Sequence, residues 1–442
     1  DGKANISGTL DVAADASIDV GTIVDPDGAT TVNPDSFLLL DRGEMLVGGD
    51  MDLAVATSLT AESSVLNITG SATWNVTGQV LLSTQTTTLD VGTTMTVGGD
   101  FSLTSGGTLQ VADSILTVSG LATLNTESVL FQGSSVVTFG SGDISLSSLV
   151  IEDATFMIEG AATYNISGNA TLTEAILDVT TLTLGVDGSL NLMDSDLIST
   201  SAHISAASVA INTSSSVEMK DLALTAETLN VNGSTLNVDG TADLAITGQT
   251  SIDSSEISMG SLILLGSGLD ISSGSMVNLE TADITLPAGM EVTDSSVSAE
   301  NLLYNGGNID FTNSNLAAGA TTLNVTGDVR FASTSDIDFS STLNLTASGS
   351  LIVTDSTLAI TDTLDVDTSD SIALTTSVIS GGTIDLNAGT TLVVDGSLHD
   401  GENVDLDAAT LNLTSEGKTT LTGATINGGD FSVLDSASVE MT

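Results

Sequence analysis

The chain lacks cysteine and is poor in proline, aromatic residues and positive charge. Its 442 residues contain no Cys, 3 Pro, 1 Trp, 2 Tyr and 9 Phe. Without cysteine there is neither a disulfide framework nor a thiolate site for zinc or an iron–sulfur cluster. Three prolines do not make a Pro-rich linker. No apolar run approaches the roughly 18 residues that a membrane-spanning helix needs, so none is predicted.

Positive charge is almost missing. The chain has 5 Lys and Arg against 57 Asp and Glu, for a net charge of −52. Nucleic acids and anionic membrane surfaces bind through clustered Lys and Arg. We therefore expect no nucleic acid partner and no membrane insertion. Disorder is not expected either, because 40% hydrophobic residues and a mean hydropathy of +0.34 are too apolar for a solvated coil.

The residues that are abundant favour β-structure. Val, Ile and Thr fit a pleated strand, while Asp, Asn and Gly accept the backbone angles of tight turns. These residue types dominate the chain, whereas Lys, Arg, Gln and Glu, which favour helices, are scarce. The composition predicts short strands joined by turns.

A short motif repeats in the C-terminal half, and internal repeats are the main guide to fold in such a chain. The motif is Thr, an aliphatic residue, Asp or Asn, and a second aliphatic residue. Copies start at Thr322, Thr342, Thr363 and Thr383, and Asn403 continues the series. The interval between copies is nearly constant, which is typical of a solenoid. We expect the first aliphatic positions to be vertical neighbours: Leu323, Leu343, Leu364, Ile384 and Val404.

Within one period, hydrophobic residues alternate with polar ones in three short bursts. Residues 342–361 show this pattern, and Ala347-Ser348-Gly349-Ser350 separates two of the bursts with turn-forming residues. One such period cannot bury enough apolar surface to be stable alone, so periods must stack. The sequence predicts an all-β fold: a single long parallel β-solenoid with about three short strands per rung of about 20 residues.

The competing fold is an array of β-sandwiches, which would need many tight hairpins. Asn-Gly, a strong hairpin signal, occurs only at Asn232, Asn305 and Asn427.

Residues 1–60 are the least regular part, with two prolines and the apolar run at 37–40. We assign residues 1–60 to an irregular start of the solenoid, a candidate adaptor, and residues 61–442 to solenoid repeats.

In this pattern the chain resembles the parallel β-helix repeats of extracellular surface proteins, including adhesins and the pectin-lyase-like group. The resemblance implies a fold and an extracellular, secreted or cell-surface location. Enzymes of the pectin-lyase-like group use Arg or Lys with calcium-binding Asp, or clustered Asp with His and an Arg-x-Lys. The basic residues and histidines here are all isolated, and no catalytic residue is predicted: Lys3, Arg42, Lys220, Arg330, Lys418, His203 and His399.

One candidate metal site follows from the motif. Its aliphatic residues point inward, so its Asp and Asn residues point outward and stack about 4.8 Å apart. The predicted column contains Asn324, Asn344, Asp365, Asp385 and Asp405. Calcium prefers such oxygen ligands. Weak calcium binding by Asp365, Asp385 and Asp405 is one interpretation, and a solvated acidic face that keeps the protein soluble is the other. No other cofactor is predicted.

The chain also has ten Asn-x-Ser/Thr sequons, which are acceptor sites for covalent N-linked glycans. Acceptor asparagines must be exposed, and the Asn324 and Asn344 pair is predicted to face outward. The ten acceptor positions are Asn5, Asn67, Asn75, Asn165, Asn169, Asn212, Asn232, Asn324, Asn344 and Asn412.

The repeat pattern is already present at Ile6 and still present at Val439, with no capping helix in the sequence. Two interpretations fit: a segment of a longer protein, or rods that join end to end by strand addition. The partners we expect are therefore copies of the chain, glycans and extracellular carbohydrate. An ice-binding surface is disfavoured because Thr-x-Thr is only sporadic, as at Thr181 and Thr183.

These features predict a non-catalytic extracellular structural protein: a rigid, acidic, glycosylated rod in a filament, stalk or surface layer. The first alternative is an adhesin-type module that binds carbohydrate or a cell surface. Exposed aromatic rings would favour it, but Trp74, Tyr164 and Tyr304 are sparse. The second alternative is a polysaccharide lyase or hydrolase.

Overall fold

The computed structural model describes residues 72–90, 92–380 and 382–399 continuously, and elsewhere only the strands given below. The chain divides into two compact units, Asp1–Leu222 and Ala223–Thr442. Each unit is a parallel β-solenoid. The described residues contain no helix, and hence none of the length and apolar character needed to cross a membrane.

The strands follow one another along the whole chain. The first unit contains β1 (Lys3–Asn5), β2 (Ile18–Asp19), β3 (Thr22–Asp25), β4 (Thr30–Val32), β5 (Phe37–Asp41), β6 (Glu44–Val47), β7 (Met51–Val55), β8 (Ser58–Ile68), β9 (Ala72–Val76), β10 (Gln79–Asp90), β11 (Thr94–Val97), β12 (Phe101–Ser105), β13 (Thr108–Ala112), β14 (Ile115–Gln132), β15 (Val136–Glu152), β16 (Thr155–Ile166), β17 (Ala170–Thr173), β18 (Ile176–Met193) and β19 (Asp196–Asn212). Strand β20 (Ser216–Asn232) contains the boundary. The second unit contains β21 (Thr235–Asp253), β22 (Glu256–Ser272), β23 (Met276–Thr293), β24 (Ser296–Thr312), β25 (Asn315–Val325), β26 (Val329–Ala332), β27 (Asp336–Phe339), β28 (Leu343–Ala347), β29 (Leu351–Thr354), β30 (Thr357–Ile360), β31 (Thr363–Thr368), β32 (Ile372–Ser380), β33 (Thr383–His399), β34 (Asn403–Leu413), β35 (Lys418–Leu421), β36 (Thr425–Val433) and β37 (Ser438–Met441).

Within each unit, the described rungs pair in parallel with their neighbours along the chain. In the second unit, Ile257 of β22 lies opposite Val277 of β23, and Leu264 lies opposite Ile284. In the first unit, Leu177 of β18 lies opposite Leu197 of β19. Each partner lies one repeat period further along the chain. The predicted fold class, an all-β parallel solenoid with rungs of roughly 20 residues, is confirmed for each unit.

A rung has three faces. Strand β22 shows all three: the first face at residues 256–259, the second face at 261–265 and the third face at 268–272. The second face carries the Thr-aliphatic-Asx-aliphatic motif. Three separate short strands per rung occur at β26, β27 and β28, as predicted. In rungs such as β21 and β22 the corners keep strand geometry, so one strand of 17–19 residues covers the whole rung.

The interior of each unit is filled by alternate side chains. Leu343, Leu345, Leu351 and Val353 are all buried, whereas Asn344 and Ile352, which alternate with them, point outward. All aromatic side chains between residues 74 and 339 are buried too. In the first unit, the ring of Phe156 packs edge-to-face on Phe131, with ring centroids 4.9 Å apart. Aromatic bulk therefore stabilises the core and leaves no ring on the surface of that part of the chain.

A column of buried serines forms the corner between the third face and the first face. The Oγ of Ser275 accepts a hydrogen bond from the backbone N–H of Ser255 (3.2 Å) and donates one to the carbonyl of Ser272 (2.6 Å). Ser255 and Ser295 make equivalent contacts one rung away. Each serine thus satisfies a buried N–H of the neighbouring rung, which would otherwise destabilise the fold by about 1–3 kcal/mol.

The residue before each buried serine usually adopts a left-handed backbone conformation. Asp194 (φ 47°), Asp294 (φ 52°) and Asp355 (φ 49°) are examples. Asp and Asn tolerate this region better than most residues. At the corner between the first and second faces the constraint is different: a Cβ on Gly98 would lie 2.6 Å from the carbonyl oxygen of Thr77 in the previous rung. Glycine allows the two rungs to approach there.

One predicted stacking relation is wrong. Leu343, Leu364, Ile384 and Val404 are vertical neighbours, but Leu323 lies opposite Leu345, and Thr321 occupies the place next to Leu343. Stacked partners in these two rungs are separated by more residues than the two motif copies are. The reason is that the copy at Thr322 lies two positions further along its strand than the copy at Thr342 does. The regular spacing in the sequence therefore does not correspond to the stacking register there.

The strands within residues 1–60 pair in parallel as well. Lys3 lies opposite Thr22, and Thr22 lies opposite Glu44. The division into two compact units falls between Leu222 and Ala223 in the sequence, and the predicted boundary at residue 60 stays a prediction. The adaptor role of residues 1–60 stays a prediction, since most of its connecting segments lie outside the described residues.

Candidate functional site

The outward column of the second face is the first candidate site. Asn344, Asp365, Asp385 and Asp405 occupy consecutive rungs of one column, as predicted. Asn324 does not belong to it: the shifted register places Asn324 opposite Asn305 and Thr346, in the neighbouring outward column. The Nδ2 of Asn324 donates a hydrogen bond to the Oδ1 of Asn305 at 2.9 Å.

The neighbouring column adds a second line of acidic and amide side chains. Asp367, Asn387 and Asp407 are stacked in it, each two positions after a member of the first column. We call Asp365, Asp367, Asp385, Asp405 and Asp407 the acidic array. Neighbouring rungs lie about 4.8 Å apart, so stacked carboxylates repel by roughly 1 kcal/mol in water. The repetition of this spacing concentrates negative charge along two outward columns.

The array is open to solvent where its side chains are described. Asp365 and Asp367 are exposed and Asp385 is half-buried, while the side chains of Asp405 and Asp407 lie outside the described residues. Among the side chains that are described, no three His, Asp or Glu residues are grouped closely enough to hold a metal ion. Oxygen-only donors suit a hard cation such as calcium. The array thus offers the right donor atoms, spread along a column.

A groove in the second unit is another concave feature. Most residues of its column on the third face carry side chains, but Gly268 and Gly289 do not, so a gap of about 400 Å³ opens between Gln249 and Asn308. Gly289 has φ 112°, and a Cβ there would meet the backbone of Asn308. The backbone conformation and the contact with Asn308 therefore both require glycine at position 289, and its lack of a side chain also leaves the gap open.

Polar side chains line the wall of this groove. Asp270, Glu291, Asp310 and Arg330 occupy consecutive rungs of one outward column. Arg330 donates to Asp310 at 3.1 Å, and both side chains are partly exposed. An exposed pair of this kind contributes little to stability. Arg330 was predicted to be isolated, but the solenoid places it one rung from a carboxylate.

The sequons are distributed over several faces. Asn75, Asn165, Asn169, Asn232, Asn324 and Asn344 are exposed, and Asn212 is half-buried. Asn324 and Asn344 point outward as expected, and their use as glycan acceptors stays a prediction. Asn169 accepts a hydrogen bond from the N–H of Ser189 at 2.9 Å. The side chains of Asn5, Asn67 and Asn412 lie outside the described residues.

In the described part of the chain, the basic residues and histidines named above do not form a catalytic arrangement. His203 is exposed on the second face of the first unit, with Thr183 in the previous rung. The side chains of Lys3, Arg42, His399 and Lys418 lie outside the described residues. Trp74, Tyr164 and Tyr304 are fully buried, so none of them can stack on a sugar.

Two buried tyrosines mark equivalent core positions with different surroundings. The hydroxyl of Tyr304 has carbonyl acceptors at Gly307 and Asn308, each 3.4 Å away, and burial raises its pKa to about 12. The hydroxyl of Tyr164 has no hydrogen-bond partner, and burial raises its pKa well above the ordinary value. Both side chains are fully buried, so both belong to the core.

Comparison with known proteins does not add a function to these features. The chain matches no protein-family model, no curated protein and no solved structure. The functional conclusion therefore depends on the solenoid geometry, the charge and the exposed side chains.

Proposed function

We propose that the chain is a non-catalytic extracellular structural protein, whose solenoid units are rigid building blocks of a filament, stalk or surface layer. One observation carries the proposal. From residue 72 to residue 399, successive strands are separated by only two or three positions. Active sites and specific binding sites are usually built on longer loops held by a scaffold. A chain whose described strands in this stretch are joined only by such short corners is suited to mechanical and spacing roles.

The way the rungs hold together supports the same role. In the second unit, the rung at β23 hydrogen-bonds to the rungs before and after it through parallel ladders and through the buried serines. In such repeat architectures, stability accumulates through contacts between nearest neighbours. The units can therefore be long without needing a larger core, which is useful in a structural element.

Charge and sequons support an extracellular location. The net charge of −52 keeps neighbouring molecules soluble through repulsion. Six exposed sequons give sites for N-linked glycans. Intact-mass measurement before and after enzymatic deglycosylation of protein from its native source tests this part. A mass unchanged by deglycosylation would contradict the glycoprotein assignment.

Electron microscopy of the purified full chain tests assembly directly. Continuous fibres or sheets are expected under extracellular salt, and removal of residues 1–60 is expected to abolish fibres if these residues are the adaptor. Fibres that persist after the truncation would refute the adaptor role. Particles that stay single at every concentration, also in the presence of the native cell surface, would refute the structural proposal.

Calcium binding by the acidic array is a separate proposal that fits this function. A divalent cation would relieve the repulsion between stacked carboxylates at Asp365, Asp385 and Asp405. Calorimetric titration with calcium should show weak binding, and EDTA should lower the melting temperature. The double change D365N/D385N should remove both effects.

A control for the calcium experiment lies in the same outward column. Asp283 has Ile263 and Leu303 as its neighbours in the adjacent rungs, so it is a carboxylate without a stacked carboxylate beside it. D283N should leave calcium binding unchanged. No heat of binding and no effect of EDTA on the parent chain would dispose of the calcium proposal.

The groove at Gly268 and Gly289 favours a second candidate function, carbohydrate binding by an adhesin-type module. Its amide and carboxylate groups could accept and donate hydrogen bonds to sugar hydroxyls, with Arg330 and Asp310 at one end. A glycan array probed with the full chain tests this candidate. Binding that survives G268Q, which would fill the gap, would rule out the groove as the sugar site.

A further inference from the structure

The core of the second unit contains a cavity whose surface is wholly apolar. Its volume is about 40 Å³, and its lining residues come from strands β20 to β24, between Leu229 and Val297. All of the lining side chains are buried, and all of them are aliphatic or Met except Thr250. We call this space the core cavity.

The lack of aromatic side chains explains why this part of the core is not completely filled. The sequence has no Phe, Tyr or Trp between Tyr164 and Tyr304. Leu244, Leu264 and Ile284 stack in the column that holds Tyr304, and each of them is smaller than a tyrosine. The core cavity lies beside these three aliphatic residues, and Tyr304 is not part of its wall.

The accessibility of the core side chains shows the same difference in packing. Leu262 and Leu279, which line the cavity, keep 6% and 7% of their surface accessible. Leu351 and Val353, which stack on the strand of Phe331, keep 0%. Protein interiors normally have few voids larger than a water molecule. A void deprives the side chains around it of contact partners, so an atom that enters the void gains dispersion contacts.

Thr250 is the one residue of the wall that carries a polar group. Its neighbours in the same inward column are Leu269 and Met290 on the next two rungs. The hydroxyl of Thr250 is buried and has no hydrogen-bond partner among the described residues. Because the surface of the cavity is wholly apolar, Thr250 contacts it through carbon atoms. Threonine in place of a larger aliphatic residue therefore leaves space without adding a polar group to the wall.

We propose that the core cavity binds a small apolar molecule, such as a dissolved gas or a short hydrocarbon. Water is disfavoured as the occupant, since a buried water needs two to four polar partners and this wall offers none. A dry apolar cavity of about 150 Å³ in another protein admits benzene or xenon. By proportion, a volume of about 40 Å³ suits a ligand of roughly one to three heavy atoms. Such binding does not depend on the proposed structural function.

Xenon is the probe for this site, because it is small, apolar and detected through its own nuclear resonance. The chemical shift of dissolved xenon is measured against the concentration of the full chain. The folded chain should shift the xenon resonance by at least about twice as much as the same chain unfolded in urea, because only the folded chain has a cavity. Xenon should also raise the melting temperature, since a ligand that binds only the folded state stabilises it.

Two substitutions at Thr250 separate filling of the cavity from loss of the unpartnered hydroxyl. T250L supplies the residue type found at Leu269 on the next rung, so it should fill the space and abolish the difference in xenon shift between folded and unfolded chain. T250V keeps the size of threonine and removes only the hydroxyl, so xenon binding should persist. V353I, in the tightly packed part of the core, is the control and should leave xenon binding unchanged.

Two results with xenon would overturn the inference: equal shifts in the folded and the unfolded parent chain, and equal binding by the parent chain and T250L. A long-lived internal water that magnetic relaxation dispersion detects in the parent chain and not in T250L would assign the cavity to water and also overturn it. Circular dichroism checks that each variant is folded. If T250L does not fold, T250I, which adds less bulk, should reduce xenon binding, and undiminished binding by T250I would overturn the inference.

Failure of this inference and failure of the proposed function can be told apart. Fibres in micrographs together with the absence of xenon binding would remove the ligand site and leave the structural function intact. Xenon binding by particles that never assemble would have the opposite meaning.

Discussion

Buried hydroxyl groups in the core differ in whether they have a hydrogen-bond partner. The two tyrosines occupy the same central core position of the second face in different units, but only Tyr304 has acceptors for its hydroxyl. A buried hydroxyl without a partner destabilises a fold, whereas one with a partner contributes modestly to it. The pair is therefore a natural comparison of the same side chain in two environments.

Removing each hydroxyl should have opposite effects. Y164F should raise the free energy of unfolding by about 1 kcal/mol, because it deletes an unsatisfied polar atom. Y304F should lower it by about 1 kcal/mol, because the carbonyls around Gly307 lose a donor. Urea unfolding followed by circular dichroism measures both. Destabilisation by both substitutions would mean that Tyr164 has a partner in solution.

The same tyrosines predict a dependence on alkaline pH. Their folded-state pKa values are raised, to about 12 for Tyr304 and well above the ordinary value for Tyr164. The unfolded chain loses these protons near pH 10, so stability is complete below that pH and falls as pH rises from about 10 to 12. Absorbance of tyrosinate should appear together with unfolding. Titration near pH 10 in a fully folded chain would contradict the burial of both rings.

Among the structural elements, the serine corner explains how neighbouring rungs keep their register. S275A should lower the free energy of unfolding by about 1–3 kcal/mol, because the buried N–H of Ser255 loses its acceptor. The control is S258A, at an outward position of strand β22. It should change the free energy of unfolding by less than about 0.5 kcal/mol. Thermal unfolding of both variants measures the difference. Equal losses of stability in S275A and S258A would show that the serine corner does not stabilise the contact between rungs.

Comparison of the repeat with the register shows what the sequence could predict. Alternation around Leu343 and Leu364 was sufficient to predict strands with an aliphatic interior, because burial follows a period of two, and the constant interval between motif copies predicted that these strands stack in parallel. The position of Asn324 could not be predicted, since a shift by two positions keeps the side chain outward and leaves the pattern unchanged.

A second signal was present in the sequence and was missed. Dipeptides such as Asp113-Ser114, Asp194-Ser195 and Asp294-Ser295 mark the corner in both units, including the N-terminal half where the other motif was weak. Their meaning depends on a serine that is buried, and serine is more often exposed. Composition alone therefore gave no reason to treat them as register marks.

At the scale of the whole molecule, charge opposes compaction. The chain has 5 Lys and Arg for 57 Asp and Glu, so most carboxylates have no basic side chain to pair with. The pair of Arg330 with Asp310 is exposed and offsets little of this repulsion. Because salt screens repulsion between exposed charges, the melting temperature should rise by several degrees between about 10 mM and 500 mM NaCl. A melting temperature that falls with salt would show that attractive pairs dominate instead.

The repeated serine corner also has an evolutionary consequence. Ser255, Ser275 and Ser295 follow one another at a constant interval and make equivalent contacts, so the segment between two of them is interchangeable with its neighbours. Loss or duplication of one segment through slippage of the gene during replication would rejoin the chain at matching positions. We therefore expect variants that lose or duplicate one such segment to keep the solenoid fold.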